Sequence, residues 1–423
     1  MSAHATNCRF AHERGILSQR LTLAVPRLGY DLRVRDLAQE ALTQNFGAGG
    51  DIDFVSAPGR VNLIGEHIDY HGLAVLPIAL QRRVRVAFRV REDGRIRAAS
   101  DGYGAREFEW TPELLPAPPG DWENYLRAAA QAIARKWGAG RGIDAAVVSD
   151  LPPAAGLSSS SALIVAFALA LLRANRRQPR FEELMEILPE GEQFVGTRGG
   201  GMDHAASLAS KAGCASLIEF QPLAVRAVPV PQGWSFLVAH SLTIAEKSGS
   251  VREQYNARRA AGSVALARLG FASYRAVLDG RSSEEVAAIA RERLPTVEER
   301  DSFLHVASEA LRVRAAVIAM ERGDAAEFGG LLLDSHASLR DRLKVSSAAL
   351  DKLVESAMQS GALGARLTGA GFGGCAVVFT RTSDLATVRE GLMSRYYAGR
   401  AEFRPDTHLI EAQPSAGALP ADL

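Results

Sequence analysis

A cluster of hydrogen-bonding and ionisable side chains lies inside an otherwise apolar stretch at residues 57–77. Its members are Arg60, Asn62, Glu66, His67, Asp69, Tyr70 and His71. Charged groups are seldom buried unless they are paired or used for function. Two carboxylates and an imidazole at positions 66, 67 and 69 suit a ligand with several hydroxyl groups. A salt-bridged turn between two strands is the structural alternative, and the spacing alone leaves both open.

The segment Gly156-Leu157-Ser158-Ser159-Ser160-Ser161 precedes an apolar run that predicts a buried helix. Glycine lets a backbone approach a ligand closely, and a helix start presents unpaired N–H groups with a partial positive charge. This combination predicts a phosphate site, with serine hydroxyls as further donors and as a ligand for Mg²⁺. A helix start capped by serines is the alternative. A Walker A loop is excluded, because no lysine lies near residue 160.

Two acidic residues, Glu192 and Asp203, flank a glycine-rich loop that includes residues 199–201. One carboxylate could hold Mg²⁺, which prefers oxygen ligands, and the other could orient or deprotonate a hydroxyl group. Phosphoryl transfer needs a metal, a phosphate cradle, a positioned nucleophile and positive charge near the transferred group. Arg60 is the candidate for that charge. For Asp203 the alternative is an N-cap of the helix predicted at residues 205–212.

The segment Gly369-Ala370-Gly371-Phe372-Gly373-Gly374 has the glycine spacing of a dinucleotide-binding loop. It leads into a predicted strand rather than a helix, however, which argues against a Rossmann site and a dinucleotide-dependent oxidoreductase. A glycine-rich turn whose backbone lies against a phosphate or a neighbouring loop fits better. A tight β turn is its alternative.

The composition is that of a globular protein long enough for two domains. The chain has 423 residues and a net charge of +1, so it offers no electrostatic case for nucleic acid or an anionic membrane as a partner. Its three cysteines lack metal-ligand spacing, which favours a reducing cytoplasm over a disulfide framework. The longest strongly apolar run, residues 162–172, is too short to span a bilayer. We therefore expect a cytoplasmic protein with small-molecule ligands.

The strands and helices that would position these residues do not follow the regular β-strand–α-helix alternation of a barrel or a doubly wound sheet. Strands are expected at residues 53–57, 82–90, 95–100, 145–149, 215–219, 235–239 and 376–380, and helices at 34–46, 122–137, 162–175, 181–188 and 205–212. This pattern predicts an α+β protein with two layered domains, divided at the proline-rich stretch 222–233. The predicted parts are an N-terminal extension (1–28), an N-terminal domain (29–228), a C-terminal domain (229–411) and a flexible tail (412–423).

Taken together, these stretches resemble the motifs of the galactokinase family of the GHMP kinases. Residues 59–70 resemble the galactokinase signature almost residue for residue, residues 156–160 resemble the ATP phosphate loop, and residues 364–374 resemble the C-terminal glycine motif. Further matches are Trp122-x-Asn124-Tyr125, Gly201-Met202-Asp203, Tyr255-Asn256-x-Arg258-Arg259 and Ser335-His336-x-Ser338-Leu339-Arg340. The resemblance covers about residues 45–410, with the motifs in the family's order.

The resemblance implies a monomeric kinase that uses Mg²⁺ and ATP to phosphorylate the C1 hydroxyl of galactose. Its fold would be a ribosomal protein S5 domain 2-like N-terminal domain followed by a ferredoxin-like C-terminal domain. The implied residues are Asp203 and Arg60 for catalysis, Glu66, His67, Asp69, Gly200 and Tyr255 for the sugar, Gly156, Leu157, Ser158, Ser159, Ser160 and Asn124 for ATP, and Ser160 and Glu192 for Mg²⁺. An aspartate of ordinary acidity is a poor base for a sugar hydroxyl, so Asp203 would mainly orient that group and take its proton late.

Three positions, His71, Gly199 and His204, depart from the family pattern. Residues 67–70, 152–163 and 199–203 together resemble the N-acetylgalactosamine kinase branch, so that sugar or a related one such as arabinose is an alternative substrate. A non-catalytic sensor that binds sugar and ATP is a second alternative, which the presence of Asp203 and Arg60 disfavours. His71 fits the family pattern least and is the first position to examine for altered specificity.

Overall fold

The computed structural model describes residues 27–152, 155–191, 194, 199–243 and 250–420. The strands are β1 (Asp53–Ile64), β2 (Leu76–Val90), β3 (Arg95–Ser100), β4 (Gly104–Glu109), β5 (Ile143–Ser149), β6 (Cys214–Phe220), β7 (Leu223–Pro229), β8 (Trp234–His240), β9 (Gly364–Thr368), β10 (Cys375–Arg381) and β11 (Leu409–Ala412). The helices are α1 (Arg27–Phe46), α2 (Glu123–Trp137), α3 (Ser159–Ala174), α4 (Phe181–Gly191), α5 (Met202–Ala209), α6 (Ser250–Leu269), α7 (Tyr274–Leu278), α8 (Ser283–Arg293), α9 (Val297–Arg322), α10 (Ala325–Asp341), α11 (Ala348–Gln359), α12 (Leu385–Leu392) and α13 (Pro405–His408). None of the described helices is long and apolar enough to cross a membrane.

The N-terminal sheet has the strand order β1-β2-β5-β3-β4. Strands β3 and β5 run parallel, whereas the other neighbouring pairs are antiparallel. Alternate residues of β2, including Val84, Val86 and Phe88, enter the main hydrophobic core, while Ala87 faces a smaller cluster that includes residues of α1. Helix α3 contacts β1 and β2, and α1 contacts β2 and β5. Both faces of the sheet's centre are therefore covered, and β1 is held rigidly enough to position side chains.

The C-terminal sheet is antiparallel and has the strand order β11-β8-β10-β9. Phe236 and Phe379 point into the same main core that the N-terminal sheet uses, whereas Leu237 and Val378 point into a second core. The main core thus continues from one sheet to the other. Helices accompany both sheets, so the predicted α+β architecture is confirmed.

The predicted boundary between residues 228 and 229 falls at the end of β7. The surrounding stretch 222–233 is less irregular than its prolines suggested, because β7 pairs there with β6 along its whole length. The β6–β7 ribbon joins the start of β2 through a bridge between Val75 and Ile218. The domain boundary itself stays a prediction.

The prediction of a flexible tail after residue 411 is wrong for the residues that the structure describes, which extend to residue 420. The Ser415 N–H donates to the Ala79 carbonyl at 2.9 Å, and the Gly417 N–H donates to the Ser210 carbonyl at 2.7 Å. Arg83 donates to the Ala416 carbonyl at 2.8 Å. The proline- and alanine-rich composition suggested disorder, but backbone hydrogen bonds fix this segment regardless of its side chains. The predicted N-terminal extension lies outside the described residues as far as residue 26.

Candidate active site

The site begins where β1 ends in a tight, buried turn. Arg60, Glu66 and His67 are 5%, 3% and 4% exposed. Gly65 has a φ of 102°, which favours glycine, and a Cβ there would lie 3.0 Å from the Val75 Cα. His67 also has a positive φ, of 62°. A non-glycine residue held in this region indicates that the surrounding structure determines the conformation of the turn.

Arg60 joins the three stretches that the sequence singled out. Its Nε donates to Asp203 Oδ1 at 2.7 Å, and its Nη1 donates to the carbonyl of Gly156 at 2.8 Å. The Arg60 N–H donates in turn to the Leu157 carbonyl at 3.2 Å. Burial opposes the charge of Arg60, but the carboxylates of Asp203, Glu66 and Asp69 together outweigh it, and the pKa of the guanidinium is raised. Arg60 is therefore a fixed positive charge between the serine loop and the first turn of α5.

The serine loop enters α3 without a side-chain cap at Ser158. Ser158 has a φ of 56°, and its buried Oγ has no hydrogen-bond partner among the described residues. The first helical bond runs from the Ala162 N–H to the Ser158 carbonyl, at 2.9 Å, so the preceding N–H groups have no acceptor within the helix. The half-buried Ser159 and Ser160 stand in this first turn. The alternative of a serine-capped helix start does not describe Ser158, and the donors suit an anion.

Asp69 and Gly200 meet on the other side of Asp203. The Gly200 N–H donates to Asp69 Oδ2 at 3.1 Å. A Cβ on Gly200 would lie only 2.4 Å from the Asp69 carbonyl carbon and from the Tyr70 nitrogen, so this approach requires glycine. Burial, together with the nearby Asp203 carboxylate, raises the pKa of Asp69 to about 6. The Asp69 and Asp203 carboxylates are thus close enough to interact, and such a pair suits a polyhydroxylated ligand.

The aromatic side chains of Tyr255, His67 and Tyr70 pack together close to these carboxylates. The ring of Tyr255, on α6, lies 5.2 Å from the ring of His67 and 5.8 Å from the ring of Tyr70. Burial raises the pKa of Tyr255, so its hydroxyl stays protonated as a donor. The C-terminal half of the chain therefore contributes to the same site through α6.

The glycine-rich turn between β9 and β10 closes the site from the C-terminal sheet. A Cβ on Gly369 would lie 3.2 Å from the Gly156 carbonyl oxygen, so the turn lies directly against the serine loop. Gly371 approaches the Val345 carbonyl so closely that a Cβ would stand 2.2 Å from its oxygen. The turn therefore fits the interpretation of a glycine segment placed against a neighbouring loop.

Comparison with known proteins finds three family models along the chain. The GHMP kinases N terminal domain matches residues 124–211, the galactokinase galactose-binding signature matches residues 40–90, and the GHMP kinases C terminal model matches residues 316–399. The galactokinase of Roseiflexus sp. (strain RS-1) is 37% identical over 85% of this chain and 91% of its own length. The galactokinase of Streptomyces coelicolor is 35% identical over 86% and 92%. The chain belongs to the galactokinase family.

Solved structures agree with membership of the galactokinase family. The galactokinase of Lactococcus lactis, complexed with galactose, has a TM-score of 0.81 and 26% identity, and the match covers 91% of this chain and 98% of that one. A mevalonate kinase of L. major matches at a TM-score of 0.56 and 21% identity over 86% and 97%, a likeness of fold alone. The two-domain α+β fold of the GHMP kinases is thereby confirmed, and the chain is a sugar kinase.

In this galactokinase-family site, two residues of the signature make protein contacts that the sequence did not reveal. His67 Nδ1 lies 2.9 Å from the Tyr70 hydroxyl, and Nε2 lies 3.2 Å from the Ala370 carbonyl. Burial and His305 lower the pKa of His67 to about 3, so the neutral ring donates through Nε2 and accepts through Nδ1. Glu66 Oε2 accepts from Arg366 Nη2 at 2.7 Å, and burial raises the pKa of Glu66 in spite of this pair.

Asn124, an expected ATP-binding residue, holds the neighbouring proline-rich loop. Its Oδ1 accepts from the Ala117 N–H at 2.8 Å, and its Nδ2 donates to the carbonyls of Ala117 and Pro118 at 3.1 and 3.2 Å. Leu157 is buried at 1% exposure and contributes its carbonyl to Arg60. Glu192, an expected Mg²⁺ partner, lies outside the described residues.

Two of the three departures from the galactokinase pattern, His71 and His204, have mostly buried side chains. His71 packs against α6 at Gly262, where a Cβ would lie 2.6 Å from its Nε2, and its ring lies 5.0 Å from the ring of Tyr274. Burial lowers the pKa of His71 to about 3. His204 is 1% exposed. His71 thus supports Tyr70 and α6 from behind, so its influence on the sugar would be indirect.

Sequence reasoning missed a buried polar group in the C-terminal half, formed by His305, Glu309 and Arg366. Each of the three is completely buried, and each contacts the backbone or a side chain of residues 62–66. The sequence did contain one signal of this group, the family-like segment that includes Ser335 and Ser338. That segment alone did not indicate that its partners lie on α9.

Proposed function

We propose that this chain transfers the γ-phosphoryl group of ATP to the anomeric (C1) hydroxyl of galactose and releases ADP. The observation that carries the proposal is the bridge made by Arg60, at 2.7 Å to Asp203 and 2.8 Å to the Gly156 carbonyl. It joins a loop that suits phosphate to a carboxylate that suits a hydroxyl group. The galactokinase relatives at 37% and 35% identity, and the Lactococcus lactis enzyme complexed with galactose, support the choice of sugar.

Asp203 and Arg60 would divide the chemistry between them. The sugar O1 forms a bond to the γ-phosphorus while the bond from that phosphorus to the bridging oxygen of ADP breaks. The proton of O1 passes to the Asp203 carboxylate as charge moves to the phosphoryl oxygens. Two hydrogen bonds fix the position of Arg60, which stabilises the negative charge that develops between the sugar O1 and the γ-phosphate. Asp203 orients the hydroxyl first and accepts its proton late.

The serine loop would hold the phosphates. The first-turn N–H groups of α3 and the buried Ser158 hydroxyl, which has no hydrogen-bond partner among the described residues, are donors of the kind that bind an anion. The Ser160 hydroxyl and the Glu192 carboxylate are hard oxygen donors of the type that Mg²⁺ prefers, and we propose them as its partners. When bound, Mg²⁺ would neutralise charge on the β- and γ-phosphates.

Asp69, Gly200 and Tyr255 would bind the sugar hydroxyls, with Asp69 as acceptor and the Tyr255 hydroxyl as donor. Glu66 and His67 complete the set, although their contacts with Arg366 and Tyr70 indicate that they also shape the pocket. The monomeric state and cytoplasmic location stay predictions.

A panel of sugars tests the proposed substrate. The purified protein would be incubated with Mg-ATP and galactose, N-acetylgalactosamine, arabinose or glucose, and ADP release would be coupled to NADH oxidation. We expect the highest kcat/KM with galactose and a product that has lost its reducing end, because C1 carries the phosphate. Preference for another sugar, or a product that still reduces, would contradict the proposal.

A further inference from the structure

A buried carboxylate from the C-terminal half of the chain holds the turn that follows β1. Glu309, on α9, is 0% exposed. Its Oε1 accepts from the N–H groups of Gly65 and Glu66 at 2.9 and 3.3 Å. These two amides directly precede His67, whose left-handed backbone needs support from its surroundings. Glu309 supplies that support from 244 residues away in the chain.

Glu309 is itself fixed and ionised. Arg312 Nε donates to its Oε2 at 2.8 Å, and Arg312 Nη2 lies 2.7 Å from the same oxygen as an ion pair. Ser335 Oγ donates to its Oε1 at 2.7 Å. Burial alone would raise the pKa of Glu309, but the positive charge of Arg312, with His305, Arg366 and the Ser335 hydrogen bond, lowers it to about 2. A full negative charge therefore faces the two N–H groups, and charge-assisted hydrogen bonds are the stronger kind.

His305 holds the next peptide group of the same turn, through the carbonyl of Glu66. It lies one helical turn before Glu309, so both side chains lie on one face of α9. Its Nε2 lies 3.0 Å from the Glu66 carbonyl, and its Nδ1 lies 2.9 Å from Ser338 Oγ. Burial lowers the pKa of His305 to about 4, so the neutral ring donates to Glu66 and accepts from Ser338.

We propose that Glu309 and His305 are positioning residues of the sugar site, which fix the backbone of Glu66 from α9 and so set the orientation of Glu66 and His67. Neither residue needs to touch the substrate. The inference rests on the proposed function in so far as Glu66 and His67 belong to the sugar pocket. Ser335 and Ser338 belong to a motif that the sequence analysis noted without assigning a role. Ser335 orients the Glu309 carboxylate, and Ser338 orients the His305 imidazole.

The test compares Glu309→Gln with Glu299→Gln, a matched control. Glu299 is also a buried carboxylate of α9 paired with an arginine, Arg268, at 3.1 Å, and it has no hydrogen bond to the turn among the described residues. Glu309→Gln keeps the shape but removes the charge. We expect its KM for galactose to rise about tenfold while its KM for ATP changes less than about twofold. Glu299→Gln should leave both values unchanged.

Hydrogen–deuterium exchange of peptides covering residues 62–68 gives a second readout that does not depend on activity. Exchange should accelerate in Glu309→Gln and stay at the wild-type rate in Glu299→Gln. Ser335→Ala removes one hydrogen bond to Glu309, so it should accelerate exchange of the same peptides to a smaller extent. This variant replaces Glu309→Gln in the test if Glu309→Gln fails to fold.

Unchanged exchange and unchanged sugar KM in the Glu309 and Ser335 variants would overturn the inference, as would equal effects in Glu299→Gln. Absence of galactose turnover in the wild-type protein would instead refute the proposed function, and the exchange data would still decide whether Glu309 fixes the turn.

Discussion

At the scale of single residues, the site is organised by charges that are buried together. Arg60 is 5% exposed and pairs with Asp203, while Asp69 lies close enough to Asp203 for the Asp203 carboxylate to raise the pKa of Asp69. An arrangement of this kind costs folding free energy and is typical of functional sites. The arginine is what allows the two acids to share the space.

The raised pKa of Asp69 makes a prediction about pH. The pKa rises from 3.8 to about 6 on folding, so the folded state holds this proton more tightly than the unfolded state does. The resulting contribution to stability is complete below about pH 4 and is lost as the pH rises through about 6. Asp69→Asn, which cannot ionise, should therefore raise the free energy of unfolding at pH 8 by about 1–3 kcal/mol relative to wild type. At pH 4 the two proteins should unfold alike.

Urea unfolding of both proteins at pH 4, 6 and 8 measures this difference, with Asp101→Asn as a control at an exposed aspartate. A difference that is the same at every pH would mean that folding does not raise the pKa of Asp69.

At the scale of elements, helix α5 carries Asp203 in its first turn and is held at both ends. At its start, Arg60 binds Asp203. At its end, the N–H groups of residues 417–419 donate to the carbonyls of Ser210, Ser207 and Leu208 at 2.7, 2.8 and 3.0 Å. The segment after β11 thus satisfies carbonyls that the helix leaves unpaired.

Removal of residues 414–423 should loosen α5 and affect catalysis. Loss of several backbone hydrogen bonds at the end of α5 should lower the free energy of unfolding by about 1–3 kcal/mol. We also expect a lower kcat, because Asp203 would be held less rigidly. Thermal unfolding and initial rates measure both effects, and removal of residues 421–423 alone is the control, since it keeps these hydrogen bonds. Wild-type stability and kcat in the longer deletion would show that the segment does not support α5.

At the scale of the whole molecule, the sequence predicted what depends on local pattern. The alternation in β2, the apolar run of α3 and the glycine spacing at residues 369–374 each led to the observed kind of element. The three motif stretches were also expected to act together, and the structure joins residues 60, 156 and 203 directly.

Contacts between distant parts of the chain were not predictable in the same way. Glu309 and Arg366 reach the turn after β1 across 244 and 300 residues, and no local pattern specifies such a partner. The segment after β11 was predicted to be flexible because it is rich in proline and alanine, whereas its described residues are held by backbone hydrogen bonds. The hydrogen bonds that His67 and Asn124 make to other parts of the protein were likewise not predictable, because they form only in the folded chain.

The proposed phosphoryl transfer depends most directly on Asp203, so the decisive measurement compares galactose-dependent ADP release in the wild-type protein and in Asp203→Asn. Asparagine keeps the shape and an oxygen that can accept from Arg60, so the buried guanidinium is not left unpaired. We predict that the wild-type protein releases ADP only when galactose is present, and that the variant loses about 10²–10⁴-fold in kcat with an unchanged fold by circular dichroism. A wild-type protein without galactose-dependent turnover, or a variant with wild-type kcat, would contradict it.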